Sequence, residues 1–499
     1  LSKPTGPAML RAWDTNFHPD FAAGRAVYLQ ISELIAAEIR RGRLQPGTAL
    51  PGTRELAKQL GVNRKTAVLA YEELLAQGWL ESQNTRGTFV SSRLPESAPL
   101  AFAPAAEGQL AEPGFRWQDP FEVEPAPMIA PGALVFNDGT PDARLAPVAT
   151  LASAYRRVMQ GRGRRNQLGY DSPLGSLPLR ETLSRMLNHD RGLSTTPESI
   201  CLTRGTQMAL YLTARLLVQP GDVVAVENPG YPPAWQTFQL LGAELAPVPV
   251  DEGGLCVDEL EALCRRQTIR ALYLTPHHQF PTTVTLKAAR RVQLLALAAR
   301  YGVAVIEDDY DHEFHYHYQP MLPLASADPH GVVIYISSLS KLIAPALRVG
   351  YVTGPAAFVT ALGRLRALVD RQGDTVLEQA VADLIDEGEI KRHTRRAHAE
   401  YQLRRDALAN RLNELPDNLV NFVLPAGGMA LWVTFREDVN VEVVAEELAR
   451  RKVVITPGSR YYLQGPAANA VRMGYAALTP AELAHGVAQL GAVLRQYES

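Results

Sequence analysis

Four apolar runs of strand length, alternating with longer helical patterns, constrain this chain more than any other feature: VVAVE (223–227), ALYLTP (271–276), VAVIEDDY (303–310) and VVIYISSLSK (332–341). Runs this apolar predict strands buried from both sides, and helical spans such as Leu286 to Arg300 predict a mostly parallel sheet with helices on both faces. Each run closes on polar residues. Ligands of open α/β sheets lie beyond the carboxyl ends of the strands, so Glu227, Thr275, Asp308 and Ser338 stand where chemistry is expected. There is no internal repeat.

At 499 residues the chain is too long for one compact unit, and two or three domains are expected. Its 46% apolar and 20% charged residues exclude a disordered chain. Fifty Lys plus Arg against 52 Asp plus Glu leave a formal charge of -2, so any contact with nucleic acid has to come from a local patch. The cysteines Cys201, Cys256 and Cys264 form no CxxC and no disulfide framework, as expected in a reducing cytoplasm. Arg300 interrupts the apolar stretch Leu294 to Ile306, nothing reaches the roughly 18–20 uninterrupted apolar residues of a span, and the first residues lack a charged-then-apolar leader pattern. A cytoplasmic protein with no membrane partner is expected.

Composition changes twice along the chain. Residues 1–23 read as an extension, and 24–90 as helix, helix, helix, hairpin, with Leu29, Leu34, Ile35 and Ile39 on one face and Leu56, Ala57 and Leu60 on the next. Residues 91–131, rich in Pro and Ala (PESAPLAFAPAAEGQLAEPG, EVEPAPMIAPG), read as a linker, and 132–499 as the large domain. In the small domain Thr53 is placed to cap the second helix, Gly61 and Val62 make a short turn, and Asn63 caps the third. The third helix opens with Arg64, Lys65 and Thr66, the end that enters a major groove, while Val68, Leu69, Tyr71, Leu74 and Leu75 pack behind. WLESQNTRGTFV then reads as two short strands with Thr85, Arg86 and Gly87 at the tip, a wing that can lay a guanidinium along a phosphate or into a minor groove. Nine Lys or Arg and six Glu between Gly24 and Val90 leave a local charge of +3.

Gly47, Leu50-Pro51, Arg54, Leu56-Ala57, Thr66 and Gly87-Thr88-Phe89-Val90 resemble the winged helix-turn-helix of the GntR family over essentially this whole domain. The resemblance implies double-stranded DNA contacts at Arg54, Arg64, Lys65, Thr66, Thr85, Arg86 and Gly87. One departure is Gly52, where a serine is usual.

In the large domain, SSLSKLIAPALRVGY sets Lys341 after a buried strand, among hydroxyls, with Arg348 seven residues on. An enclosed lysine can lose its proton and condense with an aldehyde, while Ser338, Ser340 and Arg348 supply donors and charge for a phosphate. Those are the requirements of a pyridoxal 5'-phosphate pocket with Lys341 as Schiff-base lysine. In VIEDDYDHEF, Asp308 is the candidate to keep a proton on the cofactor's ring nitrogen, although Asp309 serves almost as well on spacing alone. Tyr310 is placed to donate to the ring's phenolate oxygen. An acidic cluster at a strand end also reads as a metal or helix-capping site, and no metal is assigned. TRGTQMAL puts Thr206 and Gln207 at a helix start suited to a phosphate, and ENPGYPPAW puts Tyr231 where its ring can stack on the pyridine.

In the order GYDSPLGSLPLRETL, TRGTQ, ENPGY, TPHHQFPTTV, EDDYD, SLSK and VRMGYA, these segments resemble the fold type I, class I aminotransferases over roughly residues 134–499. That resemblance implies a large α/β domain with a mostly parallel sheet and a smaller C-terminal α/β subdomain. It implies further that Tyr170 reaches the phosphate of a neighbouring subunit, that Tyr231 stacks on the cofactor, that His278 lies near its phenolate oxygen, and that Arg472 clamps a carboxylate of substrate or effector. The usual Asn-Pro-Thr-Gly is replaced by Gln279-Phe280-Pro281-Thr282-Thr283, so the asparagine that tunes the phenolate oxygen is missing. A GntR-like reader joined by a long linker to an aminotransferase-like body is the layout of MocR-type transcriptional regulators.

The reading expected is a regulator that binds operator DNA and senses pyridoxal phosphate or a small amino compound, as a head-to-tail homodimer. The alternative is an active aminotransferase carrying an accessory DNA-binding domain. Lys391, Arg392, Arg395, Arg396, Arg404 and Arg405, on one helical stretch, are expected to be a solvated face.

Overall fold

Apolar residues spaced three and four apart build three helices at the start of the computed structural model, which describes residues 19, 24–83, 87–95, 115–116, 129–136, 139–161, 168–316, 321–416 and 418–497. The chain divides into two units, Leu1–Asp119 and Pro120–Ser499. In the first, the helix Val27–Arg40 buries Ile31, Ile35 and Ile39. The stripe runs at a spacing of four, so Leu29 and Leu34, expected on the inner face, are only half-buried. The second helix, Thr53–Leu60, is preceded by Gly52 at the cap position with no side-chain cap bond. Thr53 therefore does not cap it, because it already lies within the first turn. The third helix, Arg64–Ala76, is capped as expected: Asn63 Oδ1 accepts from the Lys65 amide at 2.9 Å. Its inner face is Ala67, Ala70, Tyr71 and Leu74, whereas Leu69, expected to pack, is 38% exposed. The Tyr71 hydroxyl donates to the Pro51 carbonyl at 2.8 Å and ties this helix to the loop before the second. Leu80–Gln83 and Gly87–Val90 pair antiparallel as the wing.

The second unit is built on an eight-stranded sheet. In spatial order its strands are Ile200–Thr203, Gly350–Thr353, Val333–Ser338, Ala304–Asp308, Ile269–Leu274, Val223–Asn228, Glu244–Asp251 and Gly254–Leu255. The five from Val333–Ser338 to Glu244–Asp251 run parallel, and they include all four runs read as strands. Gly350–Thr353 and Gly254–Leu255 are antiparallel to their neighbours. Cores lie against both faces, one around Leu210, Trp235 and Phe238 and another around Leu272, Leu294 and Leu297. A smaller antiparallel sheet, Val420–Phe422, Ala430–Phe435, Ala470–Gly474 and Thr456–Pro457, follows with the helices Val441–Arg450 and Pro480–Leu494. Leu134–Val135 pairs in parallel with Val453–Val454, so the start of this unit is stitched to its end.

The basic stretch lies on the long helix Glu389–Asn413, and two of its cations are not solvated. Arg404 donates to Asp142 at 2.8 Å and to the Ala476 carbonyl at 2.6 Å, and Arg405 donates to the Pro425 carbonyl at 2.9 Å beneath the Tyr316 ring. Both are buried because the helix turns that side onto the smaller sheet; Lys391, Arg392, Arg395 and Arg396 are exposed as expected. No described helix is long and apolar enough to cross a membrane.

Candidate functional site

Where the parallel strands end, a cavity of about 270 Å³ is lined by Thr140, Thr206, Gln207, Leu210, Tyr231, Tyr273, Thr275, Phe280, Asp308, Tyr310 and Lys341. Lys341 follows the Val333–Ser338 strand, and its Nζ donates to the Gly139 carbonyl at 2.8 Å. Asp308 is the last residue of its strand and points into the cavity. One carboxylate oxygen accepts from the Tyr273 hydroxyl at 2.9 Å, and the other, Oδ1, is buried with no hydrogen-bond partner. Burial pushes its pKa up to about 7, with a further push from Asp309 and Asp311. Such a carboxylate is a receptor for a buried N–H.

Strand alternation sends the two neighbouring aspartates to opposite sides. Asp309 turns to the opposite side, where Oδ2 accepts from the Tyr335 hydroxyl at 2.6 Å. Burial opposes its charge, but His312, His277 and Arg191 outweigh that and hold its pKa well below the ordinary carboxylate range.

Thr206 and Gln207 open the helix Thr206–Leu217, directly after Gly205. Gly205 has φ +78, and a Cβ there would come within 2.4 Å of Arg348 Nη2, so only glycine admits this guanidinium beside the helix start. Arg348 donates to the Arg204 carbonyl at 3.1 Å. Ser338 Oγ accepts from the Ser340 amide at 3.2 Å, and Ser340 Oγ is buried without a partner. These three residues stand beside the cavity, outside its lining.

Tyr310 lines the cavity, its hydroxyl donating to the His278 carbonyl at 2.9 Å. The His278 ring does not reach the lining: Nδ1 lies 2.8 Å from Asp311 Oδ1, and the imidazole packs under Gly427. Arg472 is buried, and it donates to the Pro281 carbonyl at 2.8 Å and to the Tyr310 hydroxyl at 3.3 Å. Its guanidinium lies 4.6 Å over the Phe280 ring. Gln279, first of the divergent run, turns away and braces its own turn, with Nε2 on the Pro229 and Phe280 carbonyls and Oε1 taking the Thr282 hydroxyl at 2.6 Å. The wall carries the Phe280 ring instead, edge-on to Tyr231 at 5.0 Å. Tyr170 is 84% exposed, away from this cavity, beneath the Arg371 guanidinium.

Thr275, expected at a strand end, is among the lining residues, whereas sequence reasoning missed Thr140, Leu210, Tyr273 and Phe280. A lone hydroxyl near the end of the apolar strand Ile269–Leu274 was the signal available for Tyr273. No local pattern marks Thr140, which reaches the cavity from a segment 201 residues before Lys341.

In the small unit, Arg54, Arg64 and Lys65 are exposed and Thr66 is half-buried at the start of the third helix. Gly87 opens the second wing strand with φ +109. Thr85 and Arg86 lie outside the described residues.

An exposed basic helix start on a winged helix-turn-helix, and a lysine facing a carboxylate at the strand ends of an aminotransferase-like sheet, define a DNA-reading domain carried on an enzyme-like body. Residues 136–490 match the family model described as aminotransferase class I and II, and residues 27–90 match that of bacterial regulatory proteins, gntR family. The chain belongs to the MocR-type transcriptional regulators, the group with both halves. It is 29% identical to the probable rhizopine catabolism regulatory protein MocR of Rhizobium meliloti, over 95% of this chain and 94% of that one. Identity is 30% to the HTH-type transcriptional regulator TauR of Rhodobacter capsulatus, over 93% and 96%. It is also 30% to the HTH-type pyridoxine biosynthesis transcriptional regulator PdxR of Corynebacterium glutamicum, over 89% and 91%. Among solved structures, the α-aminoadipate aminotransferase LysN of Thermus thermophilus, complexed with N-(5'-phosphopyridoxyl)-L-leucine, superposes with a TM-score of 0.68 at 28% identity, covering 74% of this chain and 93% of that one. A multiple substrate aminotransferase from Thermococcus profundus gives 0.71 at 25% identity, over 76% and 97%.

Proposed function

We propose that this regulator binds operator DNA through residues 24–90, tethered by the linker 91–131, and holds pyridoxal 5'-phosphate at Lys341 in the domain 132–499. It reads either the vitamer itself or a small amino compound. The observation that carries this reading is a lysine amine and an unpartnered buried carboxylate oxygen lining one cavity.

The residues fit the group. Asp308 Oδ1 suits a protonated ring nitrogen, and Ser340 Oγ with Arg348, beside the free amides of the Thr206–Leu217 helix, suits a phosphate. Bound there, pyridoxal phosphate supplies an electrophilic aldehyde and an electron-withdrawing ring. Lys341 presents its amine to that aldehyde, Asp308 keeps the ring nitrogen protonated, and the Tyr231 and Phe280 rings exclude water. Arg472, buried behind the lining residues Tyr310 and Phe280, is the candidate to bind an effector carboxylate. Occupancy changes DNA affinity only if it favours one arrangement of the two readers over another.

A second chain completes the reading. Tyr170, Val148, Leu168 and Leu368 are exposed, and Val148 borders a cavity of about 790 Å³ that reaches Thr203 and Arg348. Apolar exposure next to the phosphate residues supports a head-to-tail homodimer in which Tyr170 serves the partner's site.

The test is borohydride reduction of the protein with pyridoxal phosphate, followed by peptide mass analysis. A single adduct on Lys341, absent from Lys341→Ala, is expected; no adduct there overturns the reading. Sequencing DNA fragments retained with and without the vitamer then identifies the operator. Steady keto-acid production from common amino acids would favour the aminotransferase alternative.

A further inference from the structure

Behind the cofactor wall, on the side of the strand end opposite to Asp308, lies a buried group of imidazoles that the proposed function does not use. The His277 and His312 ring centroids are 4.7 Å apart, and those of His277 and His278 are 5.2 Å apart. His277 is 2% exposed, and neither of its ring nitrogens has a hydrogen-bond partner. Asp309 Oδ1, 1% exposed as a residue, has none either and lies 4.0 Å from His277 Nδ1. His312 Nδ1 sits 3.0 Å from Asp309 Oδ2 yet makes no hydrogen bond, so the carboxylate lies off the axis of that nitrogen. Buried polar atoms are seldom left this way, and here those of three side chains converge.

We propose that His277, Asp309 and His312 form a site for a divalent transition-metal ion of the zinc kind, separate from the pyridoxal phosphate pocket. One ligand atom from each residue can be chosen so that all lie within 4.8 Å of one another. An ion that takes imidazole nitrogen at about 2.0–2.1 Å and carboxylate oxygen at about 2.0–2.2 Å needs these three to close in by modest side-chain rotations. Two imidazoles and one carboxylate form a donor set for zinc, iron or nickel rather than for magnesium or calcium, which prefer oxygen.

The surroundings are those of a built site. Asp309 is oriented by the Tyr335 hydroxyl at 2.6 Å, its amide donates to the Ile336 carbonyl at 2.9 Å, and the Ser337 hydroxyl donates to its carbonyl at 2.6 Å. The Thr285 hydroxyl donates to the His277 carbonyl at 2.9 Å. Outer partners of this kind orient ligands before an ion arrives. Two cations stand nearby, and each also has partners outside the group. Arg191, 3.9 Å from Asp309, is held by Glu313 and Tyr335, and Arg291 donates to the Leu322 carbonyl. A surface cavity of about 720 Å³ lined by Arg191, His312, Glu313 and His398 provides the way in. The ion would tie the loop after Ile269–Leu274 to the segment after Ala304–Asp308, the same two segments that carry Phe280 and Tyr310 into the cofactor cavity.

Untagged full-length protein, stripped with a chelator, is titrated with Co²⁺ in the absence of pyridoxal phosphate. One equivalent per chain, with visible ligand-field bands displaced by Zn²⁺, is expected; His277→Ala and His312→Ala each lose it while borohydride capture at Lys341 persists, which shows that they fold. X-ray absorption at the zinc edge of the wild-type protein gives an independent readout, with two imidazoles in the first shell. No equimolar uptake, full uptake by both variants, or a first shell without imidazole overturns the proposal. Capture at Lys341 reports on the other site, so each reading can fail without the other.

Discussion

In the small domain the described cations assigned to DNA stand on the surface: Arg54, Arg64 and Lys65 are exposed, while Ile31, Ile35, Leu56 and Leu74 make the core. In the large domain much of the assigned site is interior, although Gln207, Arg348 and Tyr170 are exposed. Asp308, Ser338, Ser340 and Arg472 are all buried, and several of their polar atoms hydrogen-bond to the turns that shape the cavity. Function and stability are therefore separable in the reader and entangled in the body, because an exposed cation keeps its hydration whereas a buried one must be matched by the fold.

The strongest way to break this contrast is to exchange the two aspartates. Asp308→Asn is expected to weaken pyridoxal phosphate binding by about 100-fold, on the order of 3 kcal/mol for a lost charged hydrogen bond. Asp309→Asn is expected to leave that affinity within a few-fold but to cost roughly 3–5 kcal/mol of folding stability, as disruption of a buried charge network does. Equilibrium titration and denaturant unfolding of both variants separate the effects, and the reverse pattern would reassign the site.

Acidity sharpens the contrast next. Without cofactor the Asp308 carboxyl, pushed to about 7 by burial, holds its proton more tightly in the folded state than in the unfolded chain. Its contribution to stability is complete below about pH 4 and is lost as pH rises through 7. A protonated ring nitrogen against Oδ1 cancels that loss. The thermal shift caused by pyridoxal phosphate should therefore be larger at about pH 8 than at about pH 5.5, by the equivalent of a few kcal/mol, and the increment should vanish in Asp308→Asn.

In the reader the expectation is the opposite. Arg64→Ala should weaken operator binding by about 1–3 kcal/mol and flatten its salt dependence, with stability unchanged within about 0.5 kcal/mol. Loss of fold in this variant, visible by circular dichroism, would erase the distinction between the two regions. The smallest effect belongs to Thr283, a β-branched residue at φ +65, in the run that replaces Asn-Pro-Thr-Gly. Thr283→Gly relieves that backbone and should stabilise the protein by up to about 1 kcal/mol, read as a raised melting temperature.

Much of the architecture was legible in local pattern. The four apolar runs became neighbouring parallel strands, and Asn63 caps the reading helix. The errors were of facing rather than of type. Thr53, Leu69 and the pair Arg404 and Arg405 were assigned roles by position, and each was reversed by half a turn of helix or by what happened to pack there. At the cavity, Asp308, Tyr310 and Lys341 stand at strand ends as the sequence reading placed them, while Tyr273 was overlooked within its own strand and Thr140 and Phe280 come from other segments.

The order of segments along the chain, with their strand and helix periods, was enough to specify a winged reader joined to an aminotransferase-like sheet and to bring Lys341 and Asp308 to its strand ends, because backbone periodicity is a local property. Packing alone settled which aspartate faces the cavity, that His278 turns its ring away, that Gln279 braces a turn instead of tuning a ligand, and that His277, Asp309 and His312 converge. Those outcomes depend on side chains distant in sequence competing for one buried volume, and no single stretch of residues contains that information.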